Sequence, residues 1–173
     1  GLAVPVLAVN LSAIEFQQPD FLAKVEQTLS RHRIPPGAMA LELTESLLID
    51  DAEEVLEKVR RFKALGVCLS IDDFGTGYSS LAYLKRFAVD KLKIDQSFVR
   101  DIVSDPDDAA IVRAIISMAR SLKLKVIAEG VETAELARFL RLYHCHEAQG
   151  FHYAKPMPAD AFAQWLLDYQ ASA

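Results

Sequence analysis

Long apolar runs and cysteines are scarce in this chain. No apolar stretch reaches the roughly eighteen residues that a membrane-spanning helix needs, and the first residues lack the basic region of a secretion signal. The two cysteines, Cys68 and Cys145, lie far apart, which argues against a disulfide framework. We therefore expect a cytoplasmic domain with no membrane segment, either free or as the cytoplasmic part of a larger, membrane-anchored protein.

An excess of positive charge is also missing. The formal net charge is −5, from 24 acidic and 19 basic residues. This balance disfavours a nucleic-acid track, although metal ions can still bring a small phosphate ester to an acidic site. What is present is 173 residues, 51% hydrophobic and 25% charged, which is typical of an ordinary globular domain. Because no linker or low-complexity segment interrupts the chain, we predict one domain over residues 1–173.

Short apolar segments alternate with amphipathic segments along the chain. The apolar segments predict six buried strands: Val6–Val9, Met39–Leu43, Val67–Ile71, Lys91–Asp95, Lys125–Ala128 and Glu147–Gly150. The amphipathic segments predict six helices: Asp20–Arg31, Asp51–Leu65, Ser79–Phe87, Asp107–Leu122, Thr133–Leu142 and Ala159–Tyr169. Such alternation is typical of a parallel sheet, either a doubly wound sheet or a β/α barrel.

Polar side chains stand at the end of every predicted strand. They are Asn10, Glu42, Asp72 with Asp73, Lys93, Glu129 with Glu132, and Gln149. A doubly wound sheet gathers ligands near one switch point, whereas a barrel gathers all its strand ends around one mouth. We therefore favour an α/β fold of the TIM-type (β/α)8 barrel, with about six of the eight β/α units in this chain, and keep an unrelated doubly wound protein as the alternative.

The adjacent carboxylates of Asp72 and Asp73 are the centre of this pattern. They repel each other, and Gly75 and Gly77 let the backbone turn tightly just after them. A solvated turn is one interpretation; the other is a divalent cation that offsets the repulsion. With the acidic, amide and lysine side chains of the other strand ends, the set resembles an oxygen-rich cage suited to Mg²⁺ or Mn²⁺. Two such ions sharing one aspartate could activate a water and stabilise the leaving oxygen of a phosphodiester.

Six motifs in order along nearly the whole chain carry a family resemblance. They are Val9-Asn10-Leu11-Ser12, Glu42-Leu43-Thr44-Glu45-Ser46, Asp72-Asp73-Phe74-Gly75-Thr76-Gly77-Tyr78-Ser79-Ser80-Leu81, Lys91-Leu92-Lys93-Ile94-Asp95, Ala128-Glu129-Gly130-Val131-Glu132-Thr133 and Gln149-Gly150-Phe151-His152-Tyr153-Ala154-Lys155-Pro156. Together they resemble the EAL-domain family, the cyclic di-GMP phosphodiesterases. The resemblance implies a (β/α)8 barrel that hydrolyses the bacterial second messenger cyclic di-GMP to linear pGpG with two Mg²⁺ or Mn²⁺ ions.

The resemblance also implies a role for each motif residue. The implied metal ligands are Asn10, Glu42, Asp72, Asp73 and Glu129, with Asp72 shared between the two ions. The implied catalytic residues are Lys93, which would hold or polarise the attacking water, Glu129, which would orient it, and Asp73. The implied substrate contacts are Gln149, Tyr78 and Ser12. Glu132 would fix the loop over residues 73–78, which in the family couples the metal site to a dimer interface.

The Glu-Ala-Leu motif that names the family is absent from the sequence. In the family its glutamate binds metal, and an arginine after it grips substrate phosphate. The chain opens at what would be the third strand, so we interpret residues 1–173 as the C-terminal three quarters of an EAL phosphodiesterase domain. Three explanations stay open: a longer natural protein, a partner chain that closes the barrel, or a shortened family member that senses without cutting.

Two functions of different kinds follow from these observations. The first is a cyclic di-GMP phosphodiesterase, which the retained strand-end residues favour. The second is a catalytically inactive cyclic di-GMP receptor that signals to a partner, which the missing motif favours. The resemblance further suggests a homodimer and an upstream sensory or GGDEF domain in the parent chain.

Overall fold

Among the residues that the structure describes, six parallel strands form the central sheet. The computed structural model describes residues 5–48, 52–77 and 81–172. The strands are β1 (Leu7–Leu11), β2 (Met39–Thr44), β3 (Cys68–Phe74), β4 (Lys91–Ile94), β5 (Lys125–Ala128) and β6 (Glu147–Ala148). Each strand pairs in parallel with the next one along the chain, from β1 to β6. The strand order in a doubly wound sheet reverses at one point, whereas the order here follows the chain without reversal. The strands form a half-barrel.

Helices connect the strands. They are α1 (Ala13–Gln17), α2 (Phe21–His32), α3 (Ala52–Ala64), α4 (Leu81–Arg86), α5 (Gln96–Val99), α6 (Pro106–Ser121), α7 (Ala134–Leu142) and α8 (Ala159–Ser172), with a 3₁₀ turn over Glu45–Leu48. The long helices follow the predicted segments. The short helices α1 and α5 were not predicted, because five and four residues are too few to show a helical period.

Local capping explains where α6 and α7 begin. The Asp105 side chain accepts a hydrogen bond from the Asp107 amide, and Pro106 occupies the first turn of α6. The Thr133 side chain accepts a hydrogen bond from the Leu136 amide at the start of α7. Both helices therefore begin at a residue whose side chain satisfies an otherwise unpaired backbone amide.

The core lies between the outer face of the sheet and the helices. Its most deeply buried side chains are Leu41, Leu43, Leu69, Ile71, Leu92, Ile94 and Val126 from the strands, with Val59, Phe62 and Val112 from the helices. Because successive strand residues point to opposite faces, the residues between these positions face the inside of the half-barrel. Glu42, Ser70 and Lys93 are in that inner set, and all three are buried. The alternation thus separates an apolar outer layer from a polar interior.

Large apolar side chains remain exposed at both edges of the sheet, near β1 and on the helix that follows β6. Val6 and Leu7 at β1 are 51% and 64% exposed. On α8 the rings of Phe162, Trp165 and Tyr169 stack in succession, with centroid separations of 6.0 and 5.2 Å. Within residues 5–48, 52–77 and 81–172, no helix has both the length and the hydropathy to span a bilayer.

Candidate active site

Lys93 is the centre of a buried ionic cluster at the carboxyl ends of the strands. Its Nζ lies 2.6 Å from Glu42 Oε2, 3.0 Å from Asp72 Oδ1 and 2.6 Å from Glu129 Oε1. The Lys93 side chain is only 4% exposed. The three carboxylates come from β2, from β3 and from the residue after β5, so the parallel sheet brings together groups that are far apart in sequence. This confirms the expectation that the strand ends converge.

The ionisation of Lys93 follows from these contacts. Burial alone would lower the pKa of Lys93, but its hydrogen bonds to Glu129, Glu42 and Asp72 outweigh burial and raise that pKa above its usual value. Lys93 is therefore a charged hydrogen-bond donor at neutral pH in this arrangement. Burial raises the pKa of Glu129 above its ordinary value, and the contact with Lys93 only partly offsets this.

Asp73 joins the cluster through an unusual backbone conformation. Its φ is +53°, in the left-handed region, and the pairing of β3 with β4 shifts register between Ile71 and Phe74. As a result one carboxylate oxygen from each of Asp72, Asp73 and Glu129 lies within 4.8 Å of the others. In a regular strand the neighbours Asp72 and Asp73 would point to opposite faces. The irregularity directs both toward one space.

Asp95 is a further member of the site that the sequence alone did not identify. Its side chain accepts a hydrogen bond from the Ser97 amide at 2.8 Å and so caps α5. Its carboxyl group also lies close enough to that of Asp73 to help raise the pKa of Asp73. Burial, followed by the charges of Asp72 and Asp95, raises the pKa of Asp73. The run Lys93-Ile94-Asp95 offered a signal, since Asp95 stands two residues after Lys93, directly past the end of β4.

The donor set of this cluster suits a divalent metal ion. The terminal atoms of the Asn10 amide lie within reach of Glu42 and Asp72, at 3.0 Å from Glu42 Oε2 and 3.3 Å from Asp72 Oδ2. With its nitrogen inward, Asn10 donates to both carboxylates; with its oxygen inward, three oxygens converge on one point, which only a cation stabilises. Three carboxylates contact the Lys93 ammonium group and that of Asp73 lies beside two of them, so the cluster has more acidic than basic groups. Hard oxygen ligands of this kind are those that Mg²⁺ and Mn²⁺ prefer.

The predicted substrate contacts lie in three different situations. Gln149 follows β6 and is exposed. Its backbone amide donates to the Ala128 carbonyl and its backbone carbonyl accepts from the Val131 amide, so Gln149 lies beside Glu129. The Ser12 hydroxyl donates to Glu15 Oε2 at 2.6 Å and accepts from the Glu15 amide, forming the capping box of α1. Tyr78 lies outside the described residues.

The glycine loop after β3 is held by Glu45. Glu45 Oε2 accepts hydrogen bonds from the amides of Gly75 and Gly77, at 3.0 and 3.4 Å, and the residue is 3% exposed. The sequence had assigned this role to Glu132, which is exposed and forms no hydrogen bond to the loop among the residues that the structure describes. Glu45 therefore holds the amides of Gly75 and Gly77, and a role for Glu132 at this loop stays a prediction. The reason is sheet order: Glu45 follows β2, the neighbour of β3, whereas β4 separates β3 from β5 and Glu132.

Comparisons with known proteins agree with this geometry. The EAL domain model matches residues 2–156. The chain is 47% identical over 154 residues to the bifunctional diguanylate cyclase/cyclic di-GMP phosphodiesterase MucR of Pseudomonas aeruginosa, covering 89% of this chain and 22% of MucR. It is 45% identical over 163 residues to the cyclic di-GMP phosphodiesterase PdeR of Escherichia coli, covering 94% of this chain and 25% of PdeR. The chain therefore spans a quarter or less of the length of these two relatives.

Solved structures show the same fold. The PaMucR phosphodiesterase in complex with c-di-GMP matches with a TM-score of 0.88 at 46% identity, over 91% of this chain and 64% of that chain. Klebsiella pneumoniae BlrP1 in a manganese and c-di-GMP complex matches with a TM-score of 0.79 at 34% identity, over 87% of this chain and 39% of that one. By the family match and by these relatives, the chain belongs to the EAL-domain family.

Proposed function

We propose that this chain is the C-terminal three quarters of a phosphodiesterase domain that hydrolyses cyclic di-GMP to linear pGpG with the help of Mg²⁺ or Mn²⁺. The observation that carries the proposal is the contact of buried Lys93 with Glu42, Asp72 and Glu129 at the strand ends of an EAL chain. The c-di-GMP complex of PaMucR and the manganese complex of BlrP1 support the choice of substrate and of metal.

The metal ligands follow from the convergence of oxygen atoms. Asn10, Glu42 and Asp72 would hold one ion, while Asp72 with Asp73 and Glu129 would hold a second. When bound, such ions neutralise phosphate charge and lower the pKa of a coordinated water. Their combined positive charge would also offset the repulsion among the four carboxylates of the cluster.

The remaining roles belong to the chain's own side chains. Lys93, held as an ammonium group, directs its three donors to Glu42, Asp72 and Glu129, and it holds a water beside them only when one of these carboxylates moves away. Glu129, which contacts Lys93 and lies beside Asp72 and Asp73, orients that water, and Asp73 completes the acidic wall of the site. Gln149 and Tyr78 contact the substrate. Ser12 does so only after its hydroxyl leaves Glu15, because that hydroxyl now caps α1.

A second candidate is a receptor that binds cyclic di-GMP without cleaving it. One observation favours it: Lys93 already contacts three carboxylates, so the cluster is closed by its own ion pairs. A site that is satisfied in this way can be stable without metal. Binding of the ligand would then be relayed to a partner, with no turnover.

Further proposals concern the parent protein. MucR is bifunctional and this chain covers 22% of it, so we propose an upstream GGDEF or sensory domain in the parent chain. We also propose a homodimer that contacts the glycine loop after β3, and a cytoplasmic location, since a second messenger is degraded where it acts.

The test is hydrolysis of cyclic di-GMP in Mn²⁺ by this chain and by its parent chain, each beside an Asp72→Ala variant. Asp20→Asn, which removes an exposed acid at the start of α2 that pairs with Lys24, is the matched control. Turnover by the parent chain that Asp72→Ala abolishes and Asp20→Asn preserves would support the enzyme. Binding without turnover in the parent chain would favour the receptor, and turnover that survives Asp72→Ala would contradict the assigned site.

A further inference from the structure

A groove lies between the second half of α6 and the end of α7. Its volume is about 640 Å³, and its polar lining comes from Arg113, Ser117, Arg120, Ser121, Tyr143 and His144. These residues stand just before β5 and β6, at the amino ends of the strands. The Lys93 cluster lies at the carboxyl ends. The groove is therefore a separate place in the fold, on the opposite end of the half-barrel from the carboxylates.

The groove concentrates positive charge on an acidic chain. The chain carries a formal net charge of −5, yet the groove is lined by two arginines and a histidine and by no acidic side chain. Within the described ranges, neither Arg113 nor Arg120 forms an ion pair with a carboxylate. Both guanidinium groups keep donors available for an anion from solution.

The spacing of the donors places them along one face of α6. Arg113, Ser117 and Arg120 are separated by four and three residues, so they share one side of the helix with Ser117 in the middle. The Arg113 guanidinium stacks over the Tyr143 ring, 5.5 Å from its centroid, and Nη1 is 3.5 Å from the Tyr143 hydroxyl oxygen. The Tyr143 ring thus orients Arg113 at one wall of the groove.

We propose that this groove binds a small phosphate monoester with an apolar or aromatic body, of which a mononucleotide is an example. Planar guanidinium groups match the oxygens of a phosphate, and the Ser117 hydroxyl supplies a donor between them. Leu142, which is 69% exposed, adds an apolar surface for the rest of the molecule. The volume lies within the range of small-molecule sites.

The test is calorimetric titration of the 173-residue chain with AMP, inorganic phosphate and adenosine in EDTA. Without divalent cations the carboxylate cluster repels phosphate, so that binding reports on the groove. We expect saturable binding of AMP, weaker binding of phosphate and much weaker binding of adenosine. The double variant Arg113→Ala/Arg120→Ala should bind AMP at least about tenfold more weakly, because it loses two charged donors.

Two further variants make the result decisive. Ser117→Asp places a negative charge in the middle of the groove and should also abolish AMP binding. The matched control, Arg31→Ala/Arg100→Ala, removes two exposed arginines elsewhere and should bind AMP as the unaltered chain does. Circular dichroism confirms that each variant is folded. No saturable AMP binding, adenosine binding as tight as AMP binding, or an equal loss in the control would overturn the proposal.

Discussion

The ammonium group of Lys91 lies 2.8 and 2.6 Å from the two carboxylate oxygens of Glu147. Lys91 stands two residues before Lys93 on β4, and Glu147 begins β6, so this ion pair spans β5 inside the half-barrel. Glu147 is also two residues before Gln149. The pair therefore fixes the spacing of the two strands that present Lys93 and Gln149.

Replacing Lys91 by methionine should destabilise the fold. The Lys91 side chain is 19% exposed and that of Glu147 is 38% exposed, so the pair is intermediate between a surface and a buried ion pair. We therefore expect the free energy of unfolding to fall by about 1–2 kcal/mol. Urea denaturation measures it. Lys24→Met, which removes an exposed partner of Asp20, should change stability by less than about 0.5 kcal/mol. Equal losses in the two variants would contradict the bridging role.

Removing the Glu45 carboxylate should loosen the glycine loop. Glu45→Ala deletes a charged acceptor from the amides of Gly75 and Gly77, so we expect the exchange of these amide hydrogens with deuterium to accelerate by about tenfold or more. Glu45→Gln keeps an acceptor oxygen and should show a smaller effect. Glu132→Ala is the control and should leave both amides unchanged, because Glu132 is exposed. Acceleration in Glu132→Ala would instead support the sequence-based assignment.

Adding a side chain at Gly150 should be costly. A Cβ there would overlap the backbone oxygen and nitrogen of Val131. These are main-chain atoms, so the overlap is relieved only if the backbone near Val131 or Gly150 moves. We expect Gly150→Ala to lower the free energy of unfolding by about 2 kcal/mol or more. Gly37→Ala is the comparison: its φ is +78° but nothing lies within 4 Å of the added carbon, so about 1 kcal/mol of backbone strain is expected. Urea unfolding of both variants tests the difference.

The Cys145 thiol should react slowly with alkylating reagents. Burial raises the pKa of Cys145 to about 11, from 9.0 for an ordinary thiol, and its Sγ is 3.3 Å from the Glu147 carbonyl. At pH 8 the thiolate population is then about a hundredfold lower. The Cys68→Ala variant isolates Cys145, whose reaction rate with iodoacetamide should keep rising to about pH 11. A plateau near pH 9 in the folded chain would contradict the burial effect.

The raised pKa of Cys145 also makes the free energy of unfolding depend on pH. The neutral thiol is favoured in the folded state, so its contribution is complete below about pH 9 and is lost as the pH rises toward about 11. The unaltered chain should lose more stability than Cys145→Ala over that interval. Urea titrations of both at pH 8 and pH 10.5 measure this difference.

The sequence predicted the parallel strands and the polar groups at their ends. Alternating apolar positions such as Leu41, Leu43, Leu69 and Ile71 define which strand residues face the helices, and the residues between them then face inward. Asn10, Glu42, Asp72 and Lys93 all follow from that alternation. Their convergence requires only parallel strands in chain order, a property of the fold class.

What the sequence did not reveal depends on which strands are neighbours. Glu45 and Glu132 both follow a strand-end glutamate by three residues, so local pattern cannot tell which of them reaches the glycine loop. The contact of Asp73 with Asp95 likewise joins two strands through a local irregularity. Such features depend on the register of β3 against β4, and the period-two pattern that predicts a strand does not encode a register shift.

The register shift near Asp73 has a consequence for protein design. Two consecutive residues of an ordinary strand cannot serve one ligand, so a designer would take donors from different strands or from alternate positions. Here one residue with left-handed backbone lets Asp72 and Asp73 act as a single chelating unit. Grafting the pair onto another parallel sheet would therefore require the irregular stretch from Ile71 to Phe74 as well, since the two side chains transplanted into a regular strand would point apart.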